Sequence, residues 1–464
     1  MDEKQRNQVS TVGSVRKQIL TALLATIPTL TYGIQLGWLS PMRQLLKSPT
    51  GPASPPITDG TISWMAAALP LAAILGVPFF SYSSDKFGRK ICIIAISLLH
   101  SISWTIKLTS VTPTSLIIAR AIGGLGTGGC FVVIPVYIKE ISQDSIRGAL
   151  ASLTMTMCKV GVIFVYAVGM WSSYKGNQAV FLTIAVLHVI VFCFLPESPN
   201  YSLRLGKEKK ASRTIAWLRS VPETLVTSEL NKLKEEQQQY ETASKVSLLS
   251  AMRDRTVFSA LRMTLTLMAM QTLSGSFALM NFAADVFERV DAQWSPNTLA
   301  LFMGSLQLAG SFFTTMSIER FGRKIPLACS SLAVSICMIS LATCFLVGMT
   351  SSWPRVAAVC IAILAYGVGL APVPMVIMAE VFPFELRARM AGVSMAFSFF
   401  CSSMTVLFYT PIANSFGEHV VFYTFGAVTL FGAIYTVLFV PETKGKTLKE
   451  IQAYWKKEEE PVFV

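Results

Sequence analysis

The stretch "SDKFGRK", Ser84 to Lys90, sets four charged residues, Asp85, Lys86, Arg89 and Lys90, between two apolar runs. The pattern returns as "ERFGRK", Glu319 to Lys324: an acid, a base, Phe-Gly, then Arg-Lys. Two further pairs recur in the same order. Glu140 precedes Arg147 by the same step as Glu380 precedes Arg387, and "PES" at Pro196 returns as "PET" at Pro441. Ordered recurrence of this kind implies a duplicated chain whose halves meet between about residues 200 and 255.

Composition places the duplicated chain in a membrane. Of its 464 residues, 52% are hydrophobic and 14% charged, against about 25% charged in an average soluble chain. Ile19 to Met42 and Gly60 to Ser84 carry no charge, and each exceeds the roughly 20 residues that a spanning helix needs. Six such apolar runs precede Pro196 and six follow, the seventh beginning near Met263. The fold class expected is an all-α membrane protein with twelve transmembrane helices in two six-helix bundles. The order is a tail over 1–18, a bundle over 19–195, a linker over 196–256, a bundle over 257–440 and a tail over 441–464. The first run is too long for a signal-peptide core and should stay as a span. The linker segments "KKASRTIAWLRS" and "ELNKLKEEQQQYE" have helical composition. Short helices are expected there, either solvated or docked on the bundle.

Orientation follows from the basic residues. With the amino terminus cytoplasmic, the outside loops receive only Arg43, Lys47, Lys107, Lys175, Arg289 and Arg355 of the 39 Lys and Arg, while Arg120 and Lys159 lie within spans. Both termini are therefore expected in the cytoplasm. The net charge of +13 belongs to this topology and calls for no nucleic-acid partner. All nine cysteines fall inside the expected spans and read as core residues, and the three histidines are too scattered for a metal site. With no nucleophile arrangement or phosphate-binding loop, neither an enzyme nor a cofactor is expected.

Both "FGRK" copies fall at the cytoplasmic end of an even-numbered span, where Gly88 and Gly322 permit a tight turn. Asp85, Arg89, Glu140, Arg147, Glu319, Arg323, Glu380 and Arg387 form a candidate latch of salt bridges that closes the inside when the molecule faces outward. The alternative is ordinary topogenic charge. Matched acids in both halves favour the latch.

"DKFGRK", "RAIGGLGTGG", "PVYIKEISQDSIRGAL", "PESPNY", "ERFGRK", "AEVFPFELRA" and "PETKG" together resemble the signature set of the sugar porters within the major facilitator superfamily. "GWLSP" and "VIFVYAVG" look most like the insect facilitated trehalose transporter branch. The resemblance implies two six-helix bundles around a central cavity, and a cytoplasmic salt-bridge network carried by Arg89, Glu140, Arg147, Arg323, Glu380 and Arg387.

In the seventh span the family pattern is Gln-Gln-x-Ser-Gly-x-Asn with paired tyrosines beyond, and this chain reads "QTLSGSFALMNF". Gln271, Ser274 and Gly275 match. Thr272 stands for the second Gln, Phe277 for the Asn, and Asn281 with Phe282 for the tyrosines. Asn281 lies one turn beyond Phe277 and is expected to compensate in part. Tyr166 stands where many relatives have Gln, Gln307 matches a polar position, and Met375 replaces a Trp that stacks on the sugar ring. Each of these has helix packing as its alternative. Lys159 lies about 16 Å into its span at 1.5 Å per residue. It is expected either to share the cavity-facing side of Tyr166 or to snorkel toward the cytoplasm.

Proton-driven sugar porters place an acid just after a Gly-Tyr pair in the first span; here "TYGIQLGW" sets Gln35 in that place. Asp285 and Glu288, at the outer end of the seventh span, are judged too near the surface to couple to a central site. The function expected is facilitative transport of a neutral sugar or polyol, such as trehalose or a hexose, by a monomer in the plasma membrane. A non-transporting sensor with a carrier fold, or a carrier of an anionic solute, remains the alternative.

Overall fold

The computed structural model describes residues 14–243, 252–282, 286–288, 294–349 and 351–457. Among these, twelve helices are long and apolar enough to cross a membrane. In the first half they are α1 (Arg16–Lys47), α2 (Asp59–Phe87), α3 (Arg89–Thr109), α4 (Pro113–Ile141), α5 (Arg147–Trp171) and α6 (Tyr174–Cys193). Three helices of the linker follow: α7 (Pro199–Arg204), α8 (Glu208–Arg219) and α9 (Thr227–Ala243). The second half holds α10 (Arg255–Asn281), α11 (Pro296–Phe321), α12 (Lys324–Leu346), α13 (Trp353–Val381), α14 (Phe384–Phe416) and α15 (Glu418–Phe439). The short α16 (Leu448–Lys457) ends the described chain. An even number of crossings returns the first and last described residues to one end of the molecule, here termed the inner end.

Small residues set how closely the helices approach. A Cβ on Gly76 would stand 2.2 Å from the Leu125 carbonyl oxygen, and one on Gly124 would stand 2.1 Å from that of Leu69. Glycine therefore lets α2 and α4 cross backbone to backbone. The halves meet along two seams, α2 against α14 and α5 against α11. Ala73 and Val77 of α2 pack with Met395 and Phe399 of α14, and Met375 of α13 lies against that cluster.

Two spans are interrupted where the sequence forbids a regular helix. In α10, Ser274 and Gly275 separate two helical pieces. Gly275 has φ 85°, and a Cβ there would lie 2.2 Å from the Phe425 ring. In α13 the backbone widens into a π-helical turn at Tyr366–Leu370, just before "APVP", whose prolines cannot donate to a regular ladder. α10 also begins earlier than its apolar run, because the helix continues through Arg255 to Arg262 beyond the hydrophobic stretch.

The outer end is less basic than sequence alone implied. Lys107 is fully buried in α3, while Arg43 and Arg355 are buried and close to their own helices' ends. Lys47 and Lys175 remain exposed, and Arg289 lies outside the described residues. Trp171 and Trp353 are exposed at the outer ends of α5 and α13, where an aromatic belt meets the lipid headgroups.

Candidate functional site

At the inner end the two halves repeat one wiring diagram. Arg89 Nη2 lies 3.1 Å from Glu140 Oε1, and Arg323 Nη2 lies 2.7 Å from Glu380 Oε1. The acids of "PES" and "PET" supply the next layer. Glu197 Oε1 accepts the backbone N–H groups of Arg89 and Lys90, each at 3.1 Å. Glu442 accepts those of Arg323 at 2.9 Å and Lys324 at 3.0 Å. Each carboxylate thus meets the unsatisfied donors and positive dipole end of a spanning helix, α3 or α12. Ser198 Oγ donates to Glu140, and Thr443 Oγ1 donates to Glu380 Oε2 at 2.5 Å.

This wiring explains the glycine of each "FGRK". Gly88 and Gly322 have φ 98° and 83°. A Cβ on Gly88 would stand 2.3 Å from Glu197 Oε2, and one on Gly322 would stand 2.4 Å from Glu442 Oε2. Burial pushes the Glu442 carboxyl up, but the backbone N–H groups of Arg323, Lys444, Lys324 and Thr443 outweigh it and hold the group below its usual range.

The pairing differs from the seven-residue step seen in sequence. The partner of each helix-end glutamate is the "FGRK" arginine rather than Arg147 or Arg387. Those two donate instead to the carbonyls of Ser142 at 3.3 Å and Phe382 at 3.4 Å. Arg147 also meets Asp144 at 2.7 Å, and Lys232 of α9 reaches Asp144 at 3.0 Å. The Lys232 hydrogen bond and the Arg147 charge, working against burial, hold the Asp144 carboxyl below its usual range. Asp85 pairs with Arg89 at 3.5 Å and with Arg204 of α7 at 2.9 Å, whereas Glu319 is exposed. Each of these ion pairs closes within one half or between a half and the linker.

The linker is docked on the first half. Arg219 of α8 is buried, donates to the Ile141 carbonyl at 2.9 Å and pairs with Glu229 at 2.6 Å. Tyr201 of α7 donates to the Lys86 carbonyl at 2.8 Å.

Away from the inner end, in the outer part of the bundle, Tyr166 of α5 crosses between the halves and donates to the Met280 carbonyl at 2.6 Å. Gln307 of α11 is buried, and its Nε2 reaches the sulfur of that same Met280 at 3.8 Å. Gln271 of α10 donates to the Ala371 carbonyl at 2.6 Å, beside the widened turn of α13. Its Oε1 is buried and has no hydrogen-bond partner among the described residues.

Other sequence candidates are spent on the scaffold. Thr272 donates to the Met268 carbonyl of its own helix at 2.9 Å. Phe277 packs half-buried against the main core, and Met375 against the apolar seam of α2 and α14. Asn281 is engaged by hydrogen bonds of its own. Fully buried, it donates to the Phe277 carbonyl at 3.0 Å and accepts Arg120 Nη2 at 3.4 Å across the halves. Lys159 Nζ donates to Ser311 Oγ of α11, so it bridges the seam rather than snorkelling.

The outer end carries further bonds between halves. Gln44 donates to Glu288 at 2.9 Å, and the Arg43 guanidinium sits 5.3 Å from the centre of the Phe282 ring. That ring stacks on Tyr409 at 5.0 Å. Asp285 lies outside the described residues. Sequence reading gave no role to Glu197, Ser198, Glu442 and Thr443, although the repeated "PES" and "PET" signalled their positions. It counted Lys107 among the outside-loop residues, whereas the structure buries it within α3.

The sequence profile described as "Sugar (and other) transporter" matches residues 21–455. This chain belongs to that family. The facilitated trehalose transporter Tret1 of Culex quinquefasciatus is 27% identical over 445 residues, which cover 94% of this chain and 85% of that one. The Tret1 of Aedes aegypti is also 27% identical over 94% of this chain, but the chain spans only 54% of that protein's length. Among solved structures, the partially occluded inward-open form of the xylose transporter XylE from E. coli superposes with a TM-score of 0.78. It is 20% identical, and the match covers 93% of this chain and 99% of that one. At that identity the likeness establishes the fold, which is that of this carrier family.

Proposed function

We propose that this chain is a facilitative carrier that moves a neutral sugar, of the trehalose or hexose class, across a membrane by alternating access. The observation that carries the reading is the Gln271 carboxamide oxygen, buried at the break of α10 with no partner among the described residues. A buried acceptor left unsatisfied costs about 1 to 3 kcal/mol, and a sugar hydroxyl supplies the missing donor. Family membership and the trehalose transport named for its relatives support the substrate class.

The bonds that cross between halves at Asn281, Met280 and Glu288 lie toward the outer end, whereas the ion pairs described at the inner end close within halves. On this reading the arrangement is the inward-facing member of the cycle, with the inner end taken as cytoplasmic from the basic residues of the sequence, in a plasma-membrane carrier. Lys159 is held by the Ser311 hydroxyl, so its charge has a neutral partner and does not call for an anionic solute.

The test is uptake by purified protein in proteoliposomes, with radiolabelled trehalose, glucose, a polyol and a sugar phosphate offered in turn. Saturable uptake of a neutral sugar is expected. Uptake of the sugar phosphate alone overturns the substrate class, and sugar binding without uptake of any solute makes the protein a sensor.

A further inference from the structure

Lys107 is an ammonium enclosed in the protein interior, and the function proposed above gives it no task. It is fully buried near the outer end of α3. Its Nζ lies 3.9 Å from the Trp104 ring centroid and 4.5 Å from that of Trp38, and donates to Gln35 Oε1 at 2.9 Å. Two aromatic faces and a carboxamide oxygen form the kind of cage that recognises ammonium ligands, filled here by the chain's own lysine. A second buried cation stands close by. Arg120 of α4 donates to the Gln35 carbonyl at 2.6 Å and to the Met65 carbonyl at 2.8 Å. Its remaining nitrogen reaches Asn281 Oδ1 in the other half.

Gln35 is thereby held from both sides, its side chain by Lys107 and its main chain by Arg120. The carboxamide is locked further by Ser103, which accepts its Nε2 at 3.1 Å and donates to the Ala119 carbonyl at 2.7 Å. The partners named for both cations are neutral, so hydrogen bonds and ring faces alone offset the two buried charges, and Gln35 is the group that joins them. A buried charge is retained where it has work to do.

We propose that Lys107 is a positioning residue for the outer closure: its caged ammonium fixes Gln35, and through Gln35 it sets Arg120 against Asn281. The inference rests on the alternating-access reading for its consequence, so its test reads conformation rather than transport. Spin labels on Leu45→Cys and Trp294→Cys, in a background freed of native cysteines, report the separation of the halves at the outer end without any sugar.

Lys107→Met should raise the outward-open population by up to about tenfold, the change produced by losing the charged Arg120–Asn281 hydrogen bond that crosses the halves. Lys107→Arg should restore the closed population, since a guanidinium stacks on indole and donates equally well. Asn281→Ala should open the outer end to a similar degree, and adding Lys107→Met to it should change nothing further, because both act through one chain of contacts. Should Lys107→Met fail to fold, Gln35→Leu removes the acceptor, keeps the lysine and should show the same shift. An unchanged distance distribution in the folded variant, or additive effects in the double mutant, overturns the proposal. Failure of sugar uptake alone would bear on the transport reading and leave these distances as predicted.

Discussion

Gly322 shows how much a single methyl group decides. Its φ of 83° lies where an L side chain is strained, and a Cβ would press within 2.4 Å of the carboxylate that caps α12. Gly322→Ala should therefore cost about 1 to 3 kcal/mol from backbone strain alone, more if Glu442 is displaced. A lowered Tm in detergent would register it, whereas Gly348→Ala, at a positive φ with open space around it, should show only the strain. Gln271 is the corresponding residue of the proposed binding site. Gln271→Ala removes both the donor to Ala371 and the unpartnered oxygen. Sugar affinity should fall by about 1 to 3 kcal/mol, read by equilibrium binding, while Thr272→Ala, whose hydroxyl serves its own helix, should bind nearly as the parent does.

At the scale of elements, α3 and α12 each begin against a carboxylate from far along the chain, Glu197 or Glu442. These contacts tie the last turn of each half back to its second loop, closing each six-helix bundle on itself. The Glu442 carboxyl ionises below its usual range in the folded protein. Its ionised form therefore adds stability above the unfolded glutamate value, near about pH 4.3, and that contribution is lost as pH falls through the folded value. Glu442→Gln should lower Tm at neutral pH and show a smaller further loss on acidification than the parent protein. Parallel acid curves for the two proteins would contradict the cap. The linker helices belong to this scale as well. By holding Asp144 through Lys232, α9 engages the residue that pairs with Arg147, so the motif's arginine is occupied on its own half.

For the whole molecule the question is what drives flux. In place of the carboxylate that proton-driven relatives carry in the first span, Gln35 is fully buried and bonded to Lys107, Arg120 and Ser103. A carboxamide does not titrate, so an imposed pH gradient or membrane potential should leave the final level of a neutral sugar in proteoliposomes unchanged. Accumulation above equilibrium that collapses with a protonophore would show coupling and direct attention to Asp285. Because the two halves carry the same inner wiring, the proposed cycle would move two bodies of similar construction about the seams of α2 with α14 and α5 with α11.

The sequence by itself determined the class of the molecule: a stretch of some twenty uncharged residues has one stable place, and a motif repeated in order can only be a repeated bundle. Apolar length and recurrence are local properties, legible at "SDKFGRK" and "ERFGRK" without coordinates. Which acid meets which base was decided by tertiary structure alone. Arg89 and Glu140 are far apart in the chain, and their contact depends on how α2 and α4 cross. The same holds at the candidate site, where Gln271 keeps a free oxygen while Thr272, Asn281 and Met375 are taken up by the scaffold. Lys107 makes the point most directly. A lysine near the end of an apolar run reads as a loop residue, since burying an ammonium is costly, and only the fold places two indole rings and a carboxamide around it to offset that cost.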